Sequence, residues 1–245
     1  MMYNEFASLY DELMYDFDYK NWFEYIENIF KKFNKNPNTI LEMACGTGNL
    51  SYFFGEKGYK LTCFDLSSEM LSVAYKKLNL FKNIRILNQD MIDFNFNEKF
   101  DAVIAACDSI NYIIDEKDLL SVFNNVYKHL KADGIFIFDI NSVYKLKNII
   151  GNNIFAEDQE DIFYTWQNFY NNKTNICNFY LTFFYSNDGI NYRRADEFHK
   201  QKAYQKEYIK KLLGQVGFKE IRHYDCFTFN QPKKETERIN FVALK

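Results

Sequence analysis

From residue 40 to residue 140 the apolar positions alternate between short unbroken runs and stretches of helical spacing. Residues 40–44, 60–65, 84–90, 100–108 and 135–140 read as strands, apolar along their length, as expected of strands covered on both faces. Between them Leu50, Phe53 and Phe54, then Met70, Leu71, Ala74 and Leu78, recur at helical spacing. A further helix is expected over 116–130, followed by the turn Lys131-Ala132-Asp133-Gly134. Upstream, Trp22, Tyr25, Ile26, Ile29, Phe30 and Phe33 predict an amphipathic helix over 21–33, broken around Pro37. Parallel strands need crossover connections, so the alternation predicts a parallel sheet with helices on both faces.

The period changes after residue 150. Three strand-like runs, 162–170, 176–186 and 190–201, are separated by the turns Asn171-Asn172-Lys173-Thr174-Asn175 and Asn187-Asp188-Gly189, which predicts an antiparallel meander. A helix over 205–216 stops at Gly217, and 218–228 and 236–244 read as closing strands. The expected fold is α/β, a Rossmann-like doubly wound, seven-stranded, mostly parallel sheet with an inserted antiparallel β meander. Residues 1–150 and 203–245 are assigned to the core, and 151–202 to a lid that emerges after the fifth strand. The first eighteen residues, rich in aromatics and acids (Tyr3, Phe6, Tyr10, Asp11, Tyr15, Phe17), follow no single period.

Composition narrows this picture. A chain of 245 residues that is 47% hydrophobic can bury a core, and a formal net charge of −3 speaks against a general nucleic-acid surface, so no nucleic-acid partner is expected. The Lys-Lys pairs at 31, 76, 210 and 233 read as solvated faces. Five cysteines without a C-x-x-C pair indicate neither a disulfide framework nor a zinc site, so they are expected to be reduced and no metal is expected. With no leader pattern and no apolar run of spanning length, a cytoplasmic protein without a membrane partner is expected. The sequence carries no mark of an oligomeric state.

The first strand runs into Ala44-Cys45-Gly46-Thr47-Gly48, a turn that presents a helix start at the carboxyl edge of the sheet, where an anion or a nucleoside binds. A dinucleotide site asks for G-x-G-x-x-G/A, and Ser51 stands at the third position; a P-loop asks for G-x-x-x-x-G-K-[ST], which does not occur. Asp65, ending the second strand about twenty residues beyond the glycines, is at the offset from which a carboxylate reaches ribose hydroxyls. Asp90 closes the third strand in the same way.

Leu41-Glu42-Met43-Ala44-Cys45-Gly46-Thr47-Gly48 resembles motif I of class I S-adenosylmethionine-dependent methyltransferases. The resemblance continues in order through Phe64-Asp65-Leu66-Ser67 with Met70-Leu71, Gln89-Asp90-Met91, Phe100-Asp101-Ala102-Val103 and Leu130-Lys131-Ala132-Asp133-Gly134. The whole chain, including Phe6-Ala7-Ser8-Leu9-Tyr10-Asp11, is similar to small bacterial methyltransferases of unassigned substrate. It is more distantly similar to N-methyltransferases of amino sugars or glycine. The resemblance implies methyl transfer to a nitrogen or oxygen of a small-molecule acceptor, with S-adenosylhomocysteine as product. A catalytically silent cofactor-binding scaffold is the alternative, and an RNA or protein methyltransferase a third.

S-adenosylmethionine offers an adenine, a ribose diol, an amino-acid tail and a sulfonium but no phosphate. Asp65 suits the diol; Leu66 and Met70 suit the adenine face; Asp90 suits the exocyclic amine, with the Met91 N–H for a ring nitrogen. Gly46 lets backbone pass close to the methionyl portion, flanked by Ala44, Thr47 and Gly48, while Glu42 and the Cys107 carbonyl suit the ammonium. Tyr10 resembles a tyrosine that approaches the cofactor in related enzymes. Plainer readings stand beside these: a tight turn at Gly46 and Gly48, a helix cap at Asp65, a surface acid at Asp90. Asp108 and Asn111 follow the fourth strand, where the family places acceptor contacts, and read equally as turn residues. On the meander, Tyr164 and Trp166 suit an aromatic cage for an amine or plain packing. Glu197, His199 and Gln201 share one strand face, and His199 is the expected general base, since its ordinary pKa lies near neutrality.

Overall fold

The computed structural model describes Ala7, Tyr10, Asp11, Leu13, Met14 and residues 17–245 except Glu160 and Asn187. Tyr3, Phe6, Ser8, Leu9 and Tyr15, singled out above, lie outside the described residues, as does Asn187 of the second meander turn.

The amphipathic stretch folds as α1 (Tyr19–Lys32), capped by Asp18, whose carboxylate accepts from the Asn21 N–H at 2.9 Å. Its apolar face buries Trp22, Tyr25, Ile26, Ile29 and Phe30. The parallel half then unfolds in the expected order: β1 (Thr39–Met43), α2 (Asn49–Lys57), β2 (Lys60–Asp65), α3 (Ser68–Leu78), β3 (Ile84–Asn88), β4 (Phe100–Ala105), α4 (Glu116–His129) and β5 (Leu130–Asn141). Beyond it come β6 (Ile154–Gln159), β7 (Ile162–Asn171), β8 (Ile176–Ser186), β9 (Tyr192–Lys202), α5 (Lys206–Val216), β10 (Glu220–Asp225) and β11 (Arg238–Leu244). Seven strands form one sheet in the order β10-β11-β5-β4-β1-β2-β3, with β11 antiparallel to both neighbours.

Two cores sandwich that sheet. One packs Leu119, Val122, Phe123 and Val126 of α4 and Ile209, Leu212 and Leu213 of α5 on one face; the other packs α1, α2 and α3 on the opposite face. Burying a side chain such as Ile29 or Phe123 is worth about 1.5–3 kcal/mol, so the helices are held mainly by their apolar stripes. Since β1 pairs with both β2 and β4, the chain leaves β1 in opposite directions across the sheet, and a crevice opens at the carboxyl ends of β1 and β4.

Four details depart from the sequence reading. The third strand ends at Asn88, because the Asp90 carboxylate accepts the Ile92 N–H at 2.8 Å and turns the chain out of the ladder. The fourth ends at Ala105, because Cys107 and Asp108 adopt φ of 59° and 53°. Lys131 to Gly134 belong to β5: Leu130 already pairs with Phe100, and a register shift with Asp133 at φ 60° absorbs the expected turn. The inserted sheet has four strands, in the order β6-β7-β8-β9. The extra strand, Ile-Phe-Ala-Glu-Asp-Gln, is a mostly exposed edge that only its pairing with β7 reveals.

Candidate functional site

The turn after β1 is built from alternating left-handed residues, with φ of 52° at Ala44, 54° at Gly46 and 79° at Gly48. Its N–H groups point inward: Cys45 donates to the Phe64 carbonyl, Gly46 to Asp65 Oδ2 at 2.8 Å and Gly48 to the Cys45 carbonyl. With three donors engaged this way, the turn is shaped for close approach rather than for cradling a phosphate. The two glycines serve different ends. A Cβ on Gly46 meets nothing within 4 Å, whereas one on Gly48 lies 2.8 Å from Leu78 Cδ1, so Gly48 lets α2 pack on α3.

Asp65 closes the crevice beside Gly46. Its second oxygen accepts the Ser67 N–H at 2.9 Å, and Ser67 Oγ in turn caps α3 through the Met70 N–H. Burial pushes the Asp65 carboxyl above its ordinary range, with the backbone donors of Ser67 and Gly46 opposing it. Next to it Leu66 is 69% exposed, an apolar side chain left on the rim. Met70, Asp90 and Met91 stand half-buried beyond β2 and β3.

Glu42 lies under the turn, 3% exposed, and accepts from Ser51 Oγ at 2.5 Å. Burial raises its pKa to about 8; the Ser51 hydroxyl lowers it and the Asp65 charge raises it. Ser51, which replaces the third glycine, is thus the partner of the buried acid.

The N-terminal segment is fastened to this turn through a residue the sequence did not single out as a site residue. Asp11 Oδ1 accepts from Thr47 Oγ1 at 2.6 Å and Asn49 Nδ2 at 2.9 Å, and Asp11 Oδ2 pairs with Lys77 Nζ at 2.9 Å. Burial acts to raise the Asp11 pKa, but the bonds from Thr47, Lys77 and Asn49 outweigh it and hold the carboxyl below its ordinary value. Lys77 is therefore not part of a solvated face. Tyr10 is half-buried beside Tyr19, near Cys107 and Tyr112, and desolvation pushes its hydroxyl well above the usual range. A cavity of about 600 Å³ beside α2, lined by Phe17, Tyr19, Tyr52 and Phe53 among others, adjoins this clamp through Asn49 and Lys77.

Beyond β4 the structure places several expected residues in one polar network. Asp108 Oδ1 pairs with Arg238 Nη2 at 2.7 Å and Oδ2 accepts from Gln201 Nε2 at 2.6 Å, while its N–H donates to Asp139 Oδ2 at 2.9 Å. Arg238 also pairs with Asp139, and Gln201 Oε1 accepts from Asn141 Nδ2 at 3.0 Å. Cys107 has its thiol pushed well up, first by burial and then by the Asp139 charge, so it is a protonated packing side chain. Asn111 does not face open space. It is fully buried, its Nδ2 donates to the Asn141 and Lys202 carbonyls at 3.1 and 2.9 Å, and its Oδ1 accepts the Asn141 N–H. That geometry makes it a fastener of β9 to β5.

On the inserted sheet, the His199 ring meets the Tyr112 ring edge-on at 5.9 Å, and burial lowers its pKa, favouring the neutral imidazole. Tyr164 donates to Glu157 at 2.6 Å, and Trp166 packs edge-on against Phe179 at 5.6 Å, so both serve the sheet's own packing. Asp139 and Arg238 were missed, although each leaves a trace: an acid inside the apolar run 135–140 and a cation at the mouth of an apolar strand. Among the described residues no group of three or more His, Cys, Asp or Glu is placed to hold a metal, and no helix is long and apolar enough to cross a membrane.

A doubly wound sheet whose switch-point turn closes on a strand-end carboxylate is the architecture of a Rossmann-like, nucleoside-binding enzyme. Residues 40–134 match the model of a methyltransferase domain. The chain is 38% identical to YqeM of Bacillus subtilis (strain 168), named as a methyltransferase without a stated acceptor, over 100% of this chain and 98% of that protein. An S-adenosylmethionine-dependent methyltransferase from Clostridium acetobutylicum ATCC 824, known by crystal structure, is 40% identical with a TM-score of 0.90, over 100% and 99% of the two chains. The glycine/sarcosine N-methyltransferase of Aphanothece halophytica is 28% identical over 84% of this chain and 76% of its own length. The chain belongs to the S-adenosylmethionine-dependent methyltransferases.

Proposed function

We propose that the acceptor is a small molecule methylated on nitrogen or oxygen, held between the carboxyl edge of the large sheet and the inserted sheet. The observation that carries this reading is the seating of β9 on that edge through Gln201 on Asp108 and Lys202 on Asn111. A roof fastened at these points over the carboxyl edge suits a small acceptor better than a polymer. That the Aphanothece relative is named for an amino-acid amine supports an amine acceptor.

The residues present fit the methyl donor. Asp65, with each oxygen already oriented by one backbone N–H, keeps further lone pairs for a ribose diol. Open space over Gly46 admits the methionyl portion, exposed Leu66 offers an apolar surface for adenine, and Glu42 and the Cys107 carbonyl suit the ammonium. Asp90, Met91 and Met70 would complete the adenine end, and Tyr10 and the Ala44-to-Gly48 backbone the sulfonium side. When bound, S-adenosylmethionine supplies an electrophilic methyl group. The chain's own part is to align the acceptor, exclude water and receive a proton, and neutral His199, facing Tyr112, is the group for the last of these.

Isothermal titration tests the donor site: Asp65→Ala is expected to abolish measurable S-adenosylmethionine binding, and undiminished affinity would overturn the assignment. For the acceptor, labelled methyl donor and small-molecule extract should give a labelled low-molecular-weight product. Label found only in protein or RNA would favour the other acceptor classes.

A further inference from the structure

Beneath the crevice floor, Cys107 and Asp108 stand consecutively in the left-handed region, at φ of 59° and 53°, with no glycine to make that conformation easy. Backbone held this way persists only where its surroundings over-determine it. Here the restraint is visible. Asp139, fully buried, accepts the Asp108 N–H; Arg238 spans Asp139 and the Asp108 carboxylate; and the Arg238 guanidinium lies 5.9 Å over the Trp22 ring of α1. A guanidinium holds two carboxylates in a fixed planar fork, a geometry that the point charge and rotating donors of an ammonium do not impose. One oxygen of Asp139, Oδ1, is buried without a hydrogen-bond partner, so this pair is not arranged for the best local satisfaction.

We propose that Arg238, acting with Asp139, is the positioning residue of the methyl-transfer site: it holds the strained Cys107–Asp108 turn so that the Cys107 carbonyl faces the donor's amino-acid tail. The inference rests on the assignment of Cys107 under Proposed function. Neither residue touches the ligands. Arg238 comes from the start of β11 and Asp139 from β5, so the last strand of the chain sets the geometry of a turn that follows the fourth. Gln201 of β9 donates to the other oxygen of the Asp108 carboxylate, which ties the turn to the inserted sheet.

The consequence is selective. The adenosine end of the donor is held from β2 and β3, away from this turn, whereas the amino-acid tail lies against it. Titration with S-adenosylhomocysteine and with 5′-methylthioadenosine, which lacks the tail, separates the two. Arg238→Met is expected to weaken S-adenosylhomocysteine by roughly tenfold or more, the scale of one charge-assisted hydrogen bond misplaced, while leaving 5′-methylthioadenosine unchanged. Because Arg238→Met strands two acids, Arg238→Lys provides a variant that keeps the charge without the fork; folded by thermal melting, it is expected to show the same selectivity to a smaller degree. Equal weakening of both ligands, or of neither, in a folded variant would overturn the inference alone. Failure of the unaltered protein to bind S-adenosylhomocysteine would overturn the donor-site reading and the inference with it.

Discussion

Glu42 illustrates how burial can make a single acid destabilising. Its carboxyl is buried beneath the turn with Ser51 as donor, and burial lifts its pKa from 4.5 to about 8. The folded chain therefore holds a proton that the unfolded chain releases, and stability falls as pH rises from about 4.5 to 8, because the native state binds more protons across that window. Glu42→Gln removes the titration and keeps an acceptor for Ser51. Scanning fluorimetry should show a higher melting temperature than the unaltered protein at pH 8, a gain that shrinks toward pH 4.5, together with weaker S-adenosylmethionine binding. An unchanged difference across pH would mean that Glu42 is not the titrating group.

At the scale of elements, the two glycines of the turn meet different surroundings, open space at Gly46 and the packed face of α3 at Gly48. Gly48 is pressed by Leu78 and Ala74, so Gly48→Ala both strains a φ of +79° and pushes α3 from α2; a loss of about 2 kcal/mol or more in denaturant melts is expected. Gly46→Ala strains φ at +54° but points its methyl into open space. It is expected to lose S-adenosylmethionine affinity out of proportion to stability, and titration beside melting would show whether the two glycines differ in this way. The same turn receives the N-terminal segment through Asp11, whose depressed pKa means that this clamp contributes above the unfolded value of 3.8 and is lost as pH falls through the folded one. The clamp lies more than sixty residues from Lys77 in sequence. No local pattern marks it.

Across the whole molecule, buried amides join the two sheets beside the apolar packing of Tyr170, Cys177 and Phe179 on Leu146 and Ile150. Asn111 meets β5 and the end of β9 with its whole amide, and its replacement by Ala orphans the Asn141 N–H and two carbonyls. At about 1–3 kcal/mol for each buried group left unsatisfied, Asn111→Ala is expected to lower stability measurably and to reduce turnover more than donor affinity, read by urea melts and by titration. Equal loss of donor affinity would show that the residue serves the donor side instead.

What the sequence by itself determined was local and periodic. Runs of buried residues defined the strands from Thr39 to Asn141, helical spacing placed the helices between them, and Asp65 announced itself by its offset from the glycines. These signals survive because each depends on neighbours within a turn or a strand length. Tertiary structure decided the rest. The edge strand β6 exists through its pairing with β7, β4 stops where Asp139 and Arg238 contact the Cys107–Asp108 turn, and Asn111 was drawn into fastening β9 to β5. The first is a hairpin whose edge strand has no buried face to give it a period, and the other two rest on hydrogen bonds or ion pairs between residues far apart in the chain, whose energy leaves no periodicity in the sequence that makes them.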